Sequence, residues 1–444
     1  MNKQRLILVF GFILSIGLLC NSSVFGQTTT NNVSGDSLTL EKIIAIVVQT
    51  HPMVKEAAES VNSANAGIGL AKSGYFPTID ATASYARIGP ADKMTFPMLG
   101  TFQLYPSDNY AASVNVYENI YDFGKTHRNV NFAKEVKTLN EQSIEQVKQK
   151  LAYTATMIYY SMVYLQEAII INKDQLKTLQ EHLDFIQKKH DAGSATQYEI
   201  LSTQVKISTV ESAGIDLQTS LKNQRSELNS LMGQTENTDF AVKEQLNVKL
   251  PDVPDDSLIS FAYKHRDEIK IAQEKTAVAE LRLKVVRAQN HPSLNLELSG
   301  GGKNGYFPDL NAVKANYVAA IGLNVPIFEG TRMKYNMLQT KSAIVITNYE
   351  TELAKRTITA DVTENLENIK ASLKKIDHFN LQLTQSKQAF ALSQTNYQAG
   401  AITNLDVLDA TTTITESNLL LFKSKVEYVT NVYKLKMAIG ERLY

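Results

Sequence analysis

Residues 397–413 read YQAGAITNLDVLDATTT. They close about sixty residues of unbroken helical periodicity, stop at Gly400, turn, and restart with Asp406 and Asp409 three positions apart on one helix face. Residues 190–204, HDAGSATQYEILSTQ, do nearly the same, and Gly193 lies 207 residues before Gly400. A long helix, a glycine turn and a returning helix have been built twice.

Working outward, other landmarks keep almost the same offset, which marks an internal duplication. YFPTIDATASY (75–85) corresponds to NHPSLNLELSG (290–300), with Pro77 and Pro292 215 apart; Gly124 of YDFGK and Gly330 of FEGTR are 206 apart. LMG (231–233) recurs as AIG (438–440), again at 207. The difference of nine residues falls in the loop Gly89–Asp108 of the first copy. The domain organisation read from this is a first repeat at 27–235 and a second at 236–444, each with a short helix, a helix, two strands, a long helix and a medium helix.

The strand segments, about 77–123 and 292–328, alternate with period two, the pattern of a sheet with unlike faces. Ile79, Ala81, Ala83 and Tyr85 interleave with Thr78, Asp80, Thr82 and Ser84; Val114, Val116 and Ile120 share a face, as do Tyr317, Ile321, Leu323, Val325 and Ile327. Each strand runs about ten residues, enough to cross a bilayer when tilted, and aromatic residues crowd the ends like the girdles of outer-membrane barrels. A sandwich core produces the same alternation.

The long helices carry heptads. One runs from Met162 through Leu176, Leu179, Leu183 and Ile186 to His190; the other is Val362, Leu366, Ile369, Leu373, Ile376, Asn380, Leu383, Lys387, Phe390, Gln394 and Tyr397. A helix from Lys125 to His190 reaches roughly 100 Å at about 1.5 Å per residue, longer than a compact domain needs.

Composition narrows the function. Lys+Arg and Asp+Glu both number 45, so no basic field recruits nucleic acid. Lys3 and Arg5 ahead of an apolar run Leu6–Leu19, with VFG before Gln27, predict a signal peptide at 1–26 and an exported protein. Cys20, the sole cysteine, lies inside it; a lipid anchor is one reading, but Gly17, Leu18 and Leu19 fit a lipidation box poorly, so removal with the signal is the other. Past this segment no apolar run approaches the roughly 18 residues of a spanning helix. GGGKNG (300–305) lacks the Ser or Thr of a phosphate loop and reads as an ordinary connection between strands. His182 and His190 read as solvated or packed side chains rather than metal ligands. No nucleophile, cofactor or metal signature stands out, so an enzyme is not expected.

Four strands cannot span a membrane alone, because both sheet edges would leave backbone groups unpaired in hydrocarbon. Two chains give a filled eight-stranded barrel; three give twelve strands and room for a lumen. If the function is passage, three chains are the smallest assembly that works, and the expected fold class is then an α+β membrane protein: long α-helical hairpins forming an α-barrel, and four transmembrane strands per protomer closing a twelve-stranded barrel as a homotrimer.

With LTLEKIIAIVVQTHPMVKEA (38–57), AKSGYFPTIDATASY (71–85) and AGAITNLDVLDATTT (399–413) in this order, the chain resembles the TolC family of outer membrane efflux proteins over about Leu38–Gly440. The resemblance implies an outer membrane channel, continuing into the periplasm as a helical tunnel, that gives an exit duct for efflux or type I secretion with a periplasmic adaptor and an inner-membrane pump. It implies that the glycine turns, Gly193 and Gly400, lie at the periplasmic tips, with Asp406, Asp409, Glu199 and Tyr397 at the constriction. Ala195, Ile402 and Leu405 stand as adaptor docking surface or as hairpin packing. Ile402 occupies the place of an arginine in the family's closed-state network, so the salt-bridge latch of that network is not reproduced here. Two other readings stay open: aspartates in a first helical turn also favour the helix dipole, and an exported trimeric coiled-coil scaffold or adhesin would carry the same helices around a water-soluble barrel.

Overall fold

The structure is a computed structural model describing residues 37–90, 92–98, 100–235 and 238–444; the expected signal peptide and Cys20 lie outside the described residues. The first repeat contains α1 (Leu40–Thr50), α2 (Pro52–Ser73), β1 (Thr78–Arg87), β2 (Lys93–Phe96), β3 (Gly100–Gln103), β4 (Asp108–Tyr121), α3 (Lys125–Asp191) and α4 (Gln197–Met232). The second contains α5 (Leu258–His265), α6 (Asp267–Ala288), β5 (Ser293–Lys303), β6 (Lys314–Asn324), α7 (Arg332–Gln398) and α8 (Asn404–Ala438). Helices α3 and α7 are both 67 residues long, and α2 and α6 both 22. Among the described residues no helix is long and apolar enough to cross a membrane.

Each long helix is flanked by two shorter ones laid end to end. Near the strands the packing order is α2–α3–α6–α7, and near the glycine turns it is α4–α3–α8–α7. The two layers meet where the apolar content is greatest. Here α1 and the segment after α4 pack on α3, burying Ile43, Val47, Tyr159, Tyr160, Met162 and Leu228, while α5 covers α7 and α8 through Leu258, Ile358, Val362 and Leu435. Tyr159 and Tyr160 keep their hydroxyls satisfied inside that core by donating to the carbonyls of Lys243 and Gln245.

From Leu373 onward the seam of α7 departs from the sequence expectation at alternate positions. Val362, Ile369 and Tyr397 are buried, but the intervening contacts belong to Ser372, Ser386 and Ser393, one residue ahead of Leu373, Lys387 and Gln394, which are exposed, as is Asn380. The serines bond back to carbonyls of their own helix, so they bury without an unmet donor. Their small size lets α8 lie close, and Asn431 of α8 donates to Ser372 Oγ at 3.0 Å.

The four long strands form one antiparallel sheet in the order β1–β4–β5–β6. Its register puts Ile79, Val116, Leu298 and Ala319 in one row, and Leu296 opposite Ile321, with Leu323 opposite Leu294, on the same apolar face. The other face carries Asp80, Thr82, Ser113, Asn115 and Ser299. There Asn115 donates to Asp80 Oδ1 at 2.9 Å and accepts from Ser299 Oγ at 2.8 Å. Among the described residues the apolar face has no covering layer: Ile79 is 68%, Ile321 69% and Leu323 64% exposed. A water-soluble sandwich would have to cover it; a lipid-facing wall would not.

Four details of the strands differ from the sequence reading. The loop Gly89–Asp108 holds a small hairpin of its own, β2 paired with β3. A bulge between Asn119 and Tyr121 sets Tyr121 opposite Leu294, so Ile120 loses its place in the alternation. β6 ends at Asn324, leaving Val325 and Ile327 outside it, because Pro326 has no N–H to continue the ladder. Gly300–Lys303 of GGGKNG are strand, not connection, and a Cβ on Gly301 would stand 2.0 Å from the Ala112 carbonyl oxygen.

Leu296→Arg places a guanidinium on the apolar face and is expected to cost about 2–4 kcal/mol near a bilayer midplane. Reduced yield of heat-resistant assembly on denaturing gels checks this; normal yield would show that the face does not meet lipid.

Candidate functional site

The two glycine turns lie at the end of the molecule far from the strands. Gly193 has φ 75° and Gly400 φ 74°, the left-handed conformation that ends helices without a Cβ penalty. After each, the chain folds back in a six-to-one bond, Ser194 N to Lys189 O at 2.7 Å and Ala401 N to Asn396 O at 2.9 Å. Each returning helix then begins with a capping box. Thr196 and Glu199 exchange bonds at the start of α4, and Thr403 and Asp406 at the start of α8. Thr-x-x-Glu and Thr-x-x-Asp were readable in the sequence, and they assign the first acidic residue of each returning helix a local job.

Beneath the turns Ile186, Ile200, Tyr397 and Val407 form a small buried cluster, with Leu183, Phe185, Ala195 and Ile402 packed against it. Ala195 and Ile402 therefore serve the packing of the hairpins. Leu405 is 63% exposed, and Tyr198 and Leu201 of α4 are exposed beside the turn, so these are the apolar side chains a partner can reach.

A polar network crosses the cluster and joins all four helices. Tyr397 of α7 donates its hydroxyl to Glu199 Oε2 of α4 at 2.5 Å. Lys189 of α3 sits 4.6 Å from the Tyr397 ring centroid and donates to the Tyr397 carbonyl at 3.4 Å. His182 of α3 meets Asn404 Oδ1 of α8 at 2.7 Å, and Asn404 Nδ2 in turn reaches Ser202 and Thr203 of α4. Lys189 thus brings a cation from α3 to the ring and carbonyl of Tyr397 on α7. Lys189, Asn404 and the bridging role of His182 were not found from the sequence, because residues some 200 positions apart meet only once the hairpins are packed.

Electrostatics follow from these contacts. Burial pushes the Glu199 carboxyl up, but the bonds from Tyr397 and Thr196 and the Lys189 ammonium outweigh it and leave the group below its ordinary range. Burial and then the Glu199 carboxylate push the Tyr397 phenol up. Asp406 is exposed and held low by the Thr403 side chain and amide. Asp409 is exposed one turn further on. Within one chain Asp406 is a capping residue and Asp409 an unburied carboxylate; a constriction requires copies of both around an axis. Among the described residues no cluster of His, Cys, Asp and Glu is arranged to hold a metal.

The family model for the outer membrane efflux protein matches residues 44–234 and 258–441. The outer membrane protein TolC of Vibrio cholerae is 21% identical over 400 residues, covering 88% of each chain. The alkaline protease secretion protein AprF of Pseudomonas aeruginosa is 22% identical, over 75% of this chain and 70% of its own. The crystal structure of the outer membrane protein VceC of Vibrio cholerae superposes with a TM-score of 0.75 at 17% identity, over 91% of this chain and 97% of that one.

Two outcomes are expected at the tip. Gly400→Val forces a β-branched residue to positive φ at about 1–3 kcal/mol, read as faster amide exchange around 393–407 with the strands unchanged. Tyr397→Phe removes one bond to a carboxylate, about 1–2 kcal/mol because Glu199 is only half-buried. Since Glu199 is depressed in the fold, its contribution is complete above about pH 4.3 and lost as pH falls through the lower folded value. Tyr397→Phe should move that loss to higher pH in an exchange-detected titration.

Proposed function

The chain belongs to the outer membrane efflux protein family, and from that premise we propose that three copies close into one continuous duct whose periplasmic end is narrowed by the hairpin tips. It is an outer membrane channel, an exit duct for efflux or secretion that extends into the periplasm. The observation that carries the trimer is the four-stranded sheet with an apolar outer face and two unpaired edges, β1 and β6. Joining β6 of one copy to β1 of the next pairs every edge at twelve strands and leaves the Asp80–Asn115–Ser299 face toward a lumen.

The helices support the same closure. α4 turns Ile200, Thr203, Ile207 and Val210 toward its neighbours, while Leu201, Val205, Ser208 and Ser212 lie exposed on its far side. α7, the other edge of this layer, buries Ile369, Ser372, Ser386 and Ser393 and exposes Leu381 and Leu392 on its far side. At about 1.5 Å per residue, Leu392 and Leu381 stand at nearly the heights of Leu201 and Ser212 above the turns. The edges are unlike and complementary, which makes a head-to-tail contact that closes into a ring.

In this assembly Asp406 and Asp409 come round the axis three times each, with Tyr397 and Glu199 tying each tip together behind them. Gly193, Gly400 and the exposed Leu405 and Tyr198 then present the end that docks a periplasmic adaptor, which couples the duct to an inner-membrane transporter. The reading needs no catalytic step; the duct supplies passage, and energy comes from the partner.

Two measurements test it. Leu201→Cys with Leu392→Cys is expected to give oxidised trimers linked between chains; linkage within a chain, or none, would overturn the seam. Asp406→Asn with Asp409→Asn should lower cation selectivity and abolish block by a trivalent cation at the periplasmic side in planar bilayers, since carboxylate rings select cations. Unchanged selectivity and block would leave both residues as helix-start carboxylates only.

A further inference from the structure

His182 is the side chain of α3 that reaches the start of α8, where it meets Asn404 Oδ1. Asn404 is buried, and its Nδ2 lies within bonding distance of Glu199 O at 3.3 Å, Ser202 Oγ at 3.2 Å and Thr203 Oγ1 at 3.1 Å. The amide's donors are thereby committed to α4, which fixes Oδ1 as the atom facing His182 Nε2 at 2.7 Å. Nε2 must therefore carry a hydrogen, and the neutral ring keeps its lone pair on Nδ1. The ring also stands edge-on to Tyr397, with centroids 5.3 Å apart. One imidazole thus touches α7 and α8 while its amide partner holds α4.

We propose that His182 is a proton-sensitive clasp that holds α8 against α3 when neutral and releases the start of α8 when the compartment acidifies. The inference rests on the tip being the constriction. A second proton has to go on Nδ1, which puts a cation into the packed contact between the hairpins. The titratable and charged groups facing it are few: Glu199 from α4 and Tyr397 from α7, while α8 presents the neutral Asn404 and, on α3 itself, Lys189 adds a positive charge at the Tyr397 ring. Glu199 is the one anion, and it is already engaged by Tyr397 and Thr196. Burial accordingly lowers the affinity of His182 for a proton by more than the Asn404 bond and the Glu199 charge restore.

A base depressed in the closed tip and ordinary in an opened one binds protons more tightly in the open form, so the closed form is favoured above about pH 6.5 and loses ground as pH falls below it. Each protomer contributes at most about tenfold per pH unit to the closed-to-open ratio. Glu199 titrates below its ordinary range and stays ionised between pH 7.5 and 5.5, and comparison with His182→Gln separates the response of His182 from that of other groups.

The full-length assembled channel is reconstituted in planar bilayers at these two pH values. In parallel, the distance between spin labels at Gln180→Cys on α3 and Thr413→Cys on α8 is measured in assemblies carrying one labelled protomer. With His182 present, acidification is expected to lengthen the distance and raise conductance several-fold. His182→Gln keeps a donor for Asn404 and cannot titrate, so both readouts should stay at their neutral-pH values; His182→Arg, permanently charged, should show the long distance at both. A His182→Gln channel that responds to acid like the wild type overturns the clasp. If the distance responds in the wild type and not in His182→Gln while conductance stays fixed, the clasp stands and the tip is not the constriction.

Discussion

Everything in this molecule follows from two unpaired strand edges. A four-stranded antiparallel sheet whose outer face is Ile79, Leu298, Ile321 and Leu323 belongs in hydrocarbon, and hydrocarbon offers no partner for the free N–H and C=O groups along β1 and β6. The edges can be satisfied only by other copies of the same sheet. Closure into a ring then sets the geometry of what hangs from the strands: α3 and α7 leave it at Gly124 and Gly330, both at positive φ, and run 67 residues to the opposite end. A ring of strands forces a ring of helices.

Length is managed by division. A helix of roughly 100 Å has more surface than one partner can cover, so α2 and α4 share α3, and α6 and α8 share α7. The joints between the shorter helices fall in the zone where α1, α5 and the segments beside them add a third layer, and the largest buried side chains, Tyr159, Tyr160 and Met162, are found there. Below this zone the cores are thin, and the α7 seam buries Ser372, Ser386 and Ser393. The lower hairpins are consequently held by few apolar contacts and by polar bonds at the tip, an arrangement in which a small change in charge has leverage over position.

The tip shows how one residue type can serve two scales. Asp406 completes a capping box in its own chain, and Glu199 does the same while also holding Tyr397. Neither role conflicts with a place in a ring of carboxylates, since a cap uses only part of the acceptor capacity of a carboxylate. The capping role is a property of one chain, and the ring of carboxylates proposed above would be a second use of the same side chains.

The sequence by itself determined the long helices, the turns and the two-faced strands, because each rests on periodicity or on residues near in the chain: Gly193 and Gly400 at helix ends, Pro77 and Pro292 before strands, leucine against asparagine and glutamate along 293–298. Alternation gave Ile79 and Leu323 each an apolar face within their own strands, and the register joined those faces with that of Leu296. What it could not determine was phase and partnership. The α7 seam takes Ser372, Ser386 and Ser393 over Leu373, Lys387 and Gln394 because the closeness of α8 favours small residues, and closeness is a tertiary fact. The bulge at Ile120 is likewise decided by the neighbouring strand. At the tip, His182, Lys189, Glu199, Tyr397 and Asn404 come from four helices, and nothing in local sequence says that a histidine at 182 will face an asparagine at 404. Only packing two hairpins side by side gives that pair its distance, its burial and its chemistry.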